Sequence, residues 1–570
     1  MRRDALKRLP ALLVPLALAW ATAGQGVALP GWVAVASVAV TAGLGAWAAL
    51  RGARVGAPLA WLVALVGWSA LAAAIRPVAP AAWLVAIGTT AAALALVAAT
   101  PRGAAWSRAA VVTAGLGCAA WMVVERLAVA ARPAGPFGNP NPAATACVLG
   151  LALLPWLRLS LPLRAGAAAV LAAGVVASGS RGGLLGLLAL GLAWGLVASG
   201  PRVRRAAVVA VLVALVGLAV RLAGDRDPLR FERVRIWRAA ASAALAELPL
   251  GCGPGGFVDA VLPHNFPRAG EVARYHRIPR LAESDPLQLA VSLGLPGVVA
   301  ALGLVVAVAR RLRGARALGV AAVLAVTSAV NTQLVVPVVA WLATLALAAV
   351  LPRPRGTRLR VAPALTAALT VALGVPAALA LRWPAGGLGE DPAPLVARAE
   401  ALLVAARDDA ARADAEASAW RATRLAPRGG KGWRTLGTIR LERARRSGDG
   451  ELARDAVAAF VEARRVNPLD AWAAFGEGQA RRTLGEAPAA RAALEAAVRL
   501  EPNFVPAWLE LALLGIEQGD LGRARDALDH AAAARRGRTP AAFVSDYERA
   551  LVAVDPVLLG RLERAVGVGR

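Results

Sequence analysis

Residues 281–309 read LAESDPLQLAVSLGLPGVVAALGLVVAVA. Two carboxylates, Glu283 and Asp285, stand at the head of an apolar run long enough to cross about 30 Å of hydrocarbon. Such a run reads as a membrane-spanning helix that starts at a water–lipid boundary. Desolvating an acid there is costly unless it is paired or used. Asp285, beside Pro286 in the first turn, reads as a helix cap with no chemistry. Glu283 is the acid that needs another reason.

The same pattern recurs along the chain. Of its 570 residues 58% are hydrophobic and the mean hydropathy is +0.57, too apolar for a soluble protein of this length. Apolar segments fall near 10–28, 32–50, 57–75, 81–99, 108–124, 143–157, 165–179, 183–199, 205–221, 287–309, 316–332, 334–351 and 361–381. The expected fold is therefore all-α, a polytopic membrane protein of about 12–13 transmembrane helices followed by a soluble helical domain. An uncleaved first helix explains the N-terminus better than a signal peptide, because further spans follow at once.

Charge divides the chain in the same place. Residues 390–570 hold 28 Lys/Arg and 26 Asp/Glu; taken from the totals of 64 and 36, this leaves 36 basic and 10 acidic residues before them. The basic residues cluster in short connections between apolar runs, which excludes a nucleic-acid reading. The clusters at 1–8, 51–54, 101–108, 157–164, 201–205, 310–316 and 352–360 fall on alternate connections, so all seven are expected to be cytoplasmic, with the N-terminus. The opposite face receives the loop 222–286 and everything after residue 382. Cys118, Cys147 and Cys252 have neither disulfide nor zinc spacing, and no metal or cofactor is expected.

The last third carries a repeat. RLAPRGGKGW, RVNPLDAW and RLEPNFVPAW align by proline and tryptophan, and Pro468 to Pro502 is 34 residues, the tetratricopeptide period. Pro427 to Pro468 is 41 residues, which a seven-residue insertion near RRSGDGE explains. Small residues let paired helices approach, and a Trp is expected to fill each gap. The segment resembles tetratricopeptide repeats, which implies a partner-binding concave face. The expected domains are 1–386 for the membrane, with its loop at 222–286, 390–540 for the repeats and 541–570 for a helical cap.

Polar chemistry collects on the external face. GPFGNPNPAA sets Asn139 and Asn141 between prolines before a helix, as caps or as ligands for a polar group. SGSRGG places Arg181 at a tight turn, where it either snorkels or meets an anion, with glycines that would admit a bulky phosphate. RFERVRIWR puts Arg230, Arg233, Arg235 and Arg238 around Trp237; Arg233 and Trp237, four apart, share a helix face. This stretch reads either as an interfacial amphipathic helix or as a cationic cup for a pyrophosphate. His264 and His276 in the loop are further candidate bases or substrate contacts.

NPN, SRGG, ER-x3-W, PL-G-x-GPGGF and D-x-LQL-x3-LGLPG, in this order over residues 130–300, resemble the O-antigen ligase and polymerase superfamily. The resemblance implies a C-type glycosyltransferase fold in the bacterial inner membrane with its repeats in the periplasm. It implies transfer of a glycan from an undecaprenyl-diphosphate carrier to a glycolipid, glycan or protein acceptor on the periplasmic face. It also implies a protein partner for the repeats. By position, Arg181 and Arg233 match the family's diphosphate-binding arginines. Asn139, Asn141, Arg235, Trp237, His264 and His276 are the expected substrate contacts. Where the family has a catalytic His, this chain has Glu283. That acid would take the acceptor proton if desolvation favoured its neutral form, and would be a weaker base beside an arginine. A non-enzymatic scaffold or a transporter for envelope polysaccharide is the competing class; against a transporter, no intramembrane acid or broken-helix pair appears among the spans.

Overall fold

The computed structural model describes residues 57–75, 103–352 and 392–567, apart from short stretches at 129–131, 134, 198–199, 224–231, 269, 335–336, 537–542 and 544. Four expected spans (10–28, 32–50, 81–99 and 361–381) and Arg230 lie outside the described residues. The chain divides into two compact units. One comprises residues 1–257 and 281–389, and the other residues 258–280 and 390–570. The middle of the loop 222–286 thus groups with the repeats.

The described residues of both units form helices. In the first unit these are α1 (Ala57–Ile75), α2 (Gly103–Ala128), α3 (Pro140–Leu153), α4 (Leu161–Ala177), α5 (Arg181–Val197), α6 (Pro201–Ala223) and α7 (Glu232–Ala246). After the short α8 (Phe257–Val261) come α9 (Asp285–Ala309), α10 (Gly314–Val330) and α11 (Pro337–Val350). Every expected span among the described residues has its helix. Ser107–Ala128, Pro201–Val220 and Asp285–Ala309 are long and apolar enough to cross a membrane; α4, α5 and part of α10 are apolar but shorter. Missing side chains bring α2, α3 and α4 together. A Cβ on Gly115 would sit 2.8 Å from the Ala146 carbonyl, and one on Gly174 would sit 2.5 Å from Ala119. Small residues at such crossings are how helices pack where burial from water supplies no force. α6 instead leaves Val208, Val209, Leu212 and Val216 exposed, as a lipid-facing helix does.

α9 is broken. Gly294 has φ 59°, ψ −157° inside it, and Pro296 follows. A break inside an apolar helix strands carbonyls and an amide that no water can satisfy. Here the protein satisfies them. Cys252 N donates to Val291 O and Gly253 N to Ser292 O, both at 2.9 Å; Leu295 N donates to Pro249 O at 2.8 Å. Trp68 Nε1 of α1 donates to Leu293 O at 2.7 Å. The glycine-rich turn PLGCGPGG is therefore the complement of the break. A side chain on Gly251 would begin 2.5 Å from Gly294 N, so the two backbones meet only because both residues are glycine.

In the second unit α12 (Pro392–Ala405) and α13 (Asp409–Leu425) precede three helix pairs. These are α14 (Gly430–Ser447) with α15 (Gly450–Val466), α16 (Ala471–Thr483) with α17 (Ala487–Leu500), and α18 (Val505–Glu517) with α19 (Leu521–Arg535). The seven-residue difference in period is visible. α14 has 18 residues against 13 in α16, α15 has 17 against 14 in α17, and the turn between them is one residue shorter. Trp does not fill the gaps between helices as expected. Trp433 and Trp508 stay partly exposed and donate Nε1 to Pro427 O and Pro502 O at 3.0 and 2.9 Å, bracing the turn before each pair. An indole N–H needs an acceptor, so the gap goes to the wholly apolar Phe460, 1% exposed, against Gly437 and Gly476. Trp472 joins Phe475, Phe504 and Tyr547 in an aromatic cluster. α20 (Asp546–Val552) and α21 (Pro556–Val566) complete the unit, with Leu562 and Val566 buried against α18 and α19.

Candidate functional site

Three helix starts and one helix break in the membrane unit are tied together by side chains. At the start of α3, Asn139 is the N-cap and accepts Asn141 N at 2.9 Å. Asn141 turns its own Oδ1 to the SRGG turn, accepting Ser180 Oγ at 2.8 Å and Arg132 Nη2 at 3.2 Å. Capping, one of the two roles open to this pair in the sequence, falls to Asn139, while Asn141 links two segments 39 residues apart. The glycines of SRGG do not hold open a phosphate-sized space. A Cβ on Gly182 would overlap Asn331 Nδ2, and one on Gly183 would lie 2.6 Å from Ala144 Cβ. They admit protein, and the expectation of a vacant cradle there is corrected.

The opening of α9 lies against the break between α10 and α11. Asp285 does not cap its own helix: Ser284 is the N-cap residue, without a side-chain cap bond. The Asp285 carboxylate instead accepts Gln333 N and Leu334 N, each at 2.9 Å, and Asp285 N donates to Asn331 O. Ser284 N donates to Thr332 Oγ1 at 2.9 Å. Gln333 carries the ties to α3 and α10, accepting Thr145 Oγ1 at 2.8 Å and donating to Thr327 Oγ1 at 2.7 Å. Asn331, Thr332 and Gln333 are all buried. The acid near the membrane boundary is thus answered by main-chain donors, the second way besides ion pairing to make its burial tolerable.

α7 supplies the cationic side. Arg233 and Trp237, one turn apart, both reach Glu283. The Arg233 guanidinium pairs with the Glu283 carboxylate at 3.4 Å, each side chain 32% exposed, and Trp237 Nε1 donates to the Glu283 carbonyl at 3.0 Å. Arg233 also donates to Val330 O and, at 3.2 Å, to Asn331 Oδ1. A guanidinium suits this place because it faces the stranded carbonyl at the C-terminus of α10. Glu283 itself has φ 51°, the left-handed region, and is the one non-glycine residue so placed among the described residues. Burial lowers the Arg233 pKa; Glu283 opposes this, and the positive charge of Arg181 adds to it. Gly182, next to Arg181, packs against Asn331, the residue whose Oδ1 accepts from Arg233, so the turn that carries Arg181 lies beside Arg233. Asn331 Nδ2, buried beside Arg233, has no hydrogen-bond partner among the described residues.

The structure therefore brings Arg181, Arg233, Trp237 and Glu283 into one cluster, with Asn139 and Asn141 bracing the turn that carries Arg181. Arg235 lies on the exposed side of α7. His264 and His276 belong to the repeat unit, where His276 stacks on Tyr547. The 331–333 stretch was not among the sequence candidates. Its signal is three polar residues interrupting an apolar stretch between two helices.

Residues 166–302 match the family described as O-Antigen ligase. That stretch runs from within α4 to within α9 and contains Arg181, Arg233, Trp237 and Glu283, so the resemblance found in the motifs is shown over this part of the chain. Among solved structures the chain is similar to a thermophilic TPR protein of Thermus thermophilus. The two are 22% identical, the match covers 36% of this chain and 94% of that one, and the TM-score is 0.25. No curated protein matches the chain.

Proposed function

We propose that the chain is a membrane glycosyltransferase of the O-antigen ligase kind, acting in polysaccharide assembly. It moves a glycan from an undecaprenyl-diphosphate carrier to a lipid, glycan or protein acceptor on the periplasmic face of the inner membrane. The observation that carries this reading is the pairing of Arg233 with Glu283, with the turn that carries Arg181 packed beside them on Asn331. Two guanidiniums are suited to a diphosphate, and their charge stabilises it as the glycan leaves. The Asn331 amide adds a buried donor with no hydrogen-bond partner among the described residues. Glu283 is assigned to the acceptor: its left-handed backbone, held by Trp237 and Thr332, fixes the carboxylate where it can orient an attacking hydroxyl. Backbone strain of this kind is characteristic of working sites.

The broken α9 bears on the transporter alternative. One broken helix is present rather than a pair, and its freed groups are closed by residues 249–253 and Trp68. A solute site needs such groups open. The test is complementation of a strain lacking surface-glycan attachment with wild type, Arg181→Ala and Glu283→Ala, at matched membrane abundance. Loss of attachment in both variants supports transfer. Normal attachment in both would sink the catalytic reading and leave a scaffold.

A further inference from the structure

The loop segment 258–280 has a fold of its own within the repeat unit. Asn265 Nδ2 donates to Tyr275 O and Arg277 O at 3.0 and 3.3 Å, and Arg268 N donates to Arg274 O at 2.9 Å. Its far end meets the turn between α17 and α18. Glu501, fully buried, accepts both Arg274 N at 2.8 Å and Tyr275 N at 3.0 Å. Asn503 Nδ2 donates to Val272 O at 3.1 Å. Three contacts thus go to main-chain groups of residues 272–275. Successive amides converging on one anion form a nest, and here the anion is a protein carboxylate.

Side chains add selectivity. Ala273, 1% exposed, is packed into the cluster of Ala471, Ala474, Phe475, Phe504 and Ala507. His276 stacks on Tyr547 of α20, with ring centroids 4.1 Å apart and planes 18° apart. A small residue in a pocket, backbone bonds on either side of it and a ring three residues on are the elements of a peptide-recognition site. A buried carboxylate without these amides would be costly, so the surface is built for an occupant.

We propose that this surface of the repeats is a receptor for the chain's own external loop, binding Val272–His276 in cis through Glu501, Asn503, the Ala273 pocket and Tyr547. The repeats then hold a loop of the same polypeptide, and any other protein that uses this surface must displace it. The inference does not depend on glycan transfer, since it concerns contacts within the repeat unit alone.

The test uses the full chain in detergent. Ala273→Arg overfills the pocket from the loop side and leaves the repeats untouched; Glu501→Ala removes the anion from the repeat side. Hydrogen exchange over 271–277 is expected to rise about tenfold in both variants, with α14 and α15 unchanged in Ala273→Arg. Tethering gives the native segment a high effective concentration, so a labelled synthetic peptide of residues 262–280 should bind Ala273→Arg at least about tenfold more tightly than wild type. Adding Glu501→Ala to that variant should abolish peptide binding. Unchanged exchange in Ala273→Arg, or a peptide that fails to bind it, overturns the proposal.

Discussion

Arg443 in the repeats and Arg233 in the membrane unit meet the same need by different means. Arg443 of α14 lies between two carboxylates of α13, Asp409 at 2.9 Å and Glu416 at 2.6 Å. Arg434 of α14 reaches forward to Asp470 before α16, and Glu477 of α16 takes Arg464 of α15 as well as Arg481 of its own helix. In the membrane unit guanidiniums turn to backbone: Arg108 to Ala349 O, Arg132 to Ser178 O, Arg164 to Leu157 O and Leu159 O, and Arg233 to Val330 O. The difference follows from supply. Only ten acids precede residue 390, whereas helix ends there present carbonyls that water does not reach. In one unit an arginine ties helices to each other, and in the other it closes a helix end. Arg233 does the second and also holds an acid, which sets it apart as a site.

The contrast can be broken or sharpened by substitution. The largest effect is expected at Phe460→Ala, where a fully buried ring between two glycines is lost. This should cost about 3–5 kcal/mol in the thermal or denaturant unfolding of the repeats. A cost under about 1 kcal/mol would mean that this ring does not hold the helix pairs together. Next comes Arg233→Lys. One ammonium cannot reach Glu283, Val330 O and Asn331 together, so glycan attachment should fall about 10²–10³-fold, as when a fixed charge-stabilising donor is removed. Arg443→Lys keeps the charge beside Glu416 and the exposed Asp409, so it should cost no more than about 1 kcal/mol, and its share from Asp409 should matter less as salt is raised. Equal tolerance of lysine at both positions would erase the distinction.

A further effect, read through pH, concerns Asp259. Burial raises its pKa to about 6, with Arg428 opposing, against 3.8 in the unfolded chain. The folded state therefore binds the proton more tightly. The associated stability is fully present below pH 3.8 and is lost as pH rises through 6. Asp259→Asn should raise Tm at pH 7.5 and leave it nearly unchanged at pH 3.5, as followed by circular dichroism. A gain of equal size at both pH values would show that charge is not the cause.

Much of this architecture is written locally. Apolar runs place each helix of the membrane unit among the described residues except α7 and α8, and Pro468 to Pro502 sets the repeat. The resemblance in the motifs singled out Arg181, Arg233 and Glu283, and the one-turn spacing of Arg233 and Trp237 foretold their common face. What could not be read are pairings across long separations. Gln333 meets Thr145 over 188 residues, and Glu501 meets Arg274 over 227. Neither partner carries a periodic signature. Asp285 misleads because Asp before an apolar run caps helices so often; its actual donors, Gln333 and Leu334, come from another helix break. Trp misleads as filler because its ring volume suggests a core residue, while its N–H requires an edge.

Gly182 and Asn331 occupy one another's space: the glycine has no side chain because an amide stands where its Cβ would be. The two positions lie 149 residues apart, yet they should behave as a single unit of heredity. Any lineage that enlarges residue 182 must shorten or redirect residue 331 in the same step, and with it the hydrogen bond to Arg233. Engineered chimeras that exchange α5 between related chains should therefore carry α10 and its following turn along with it.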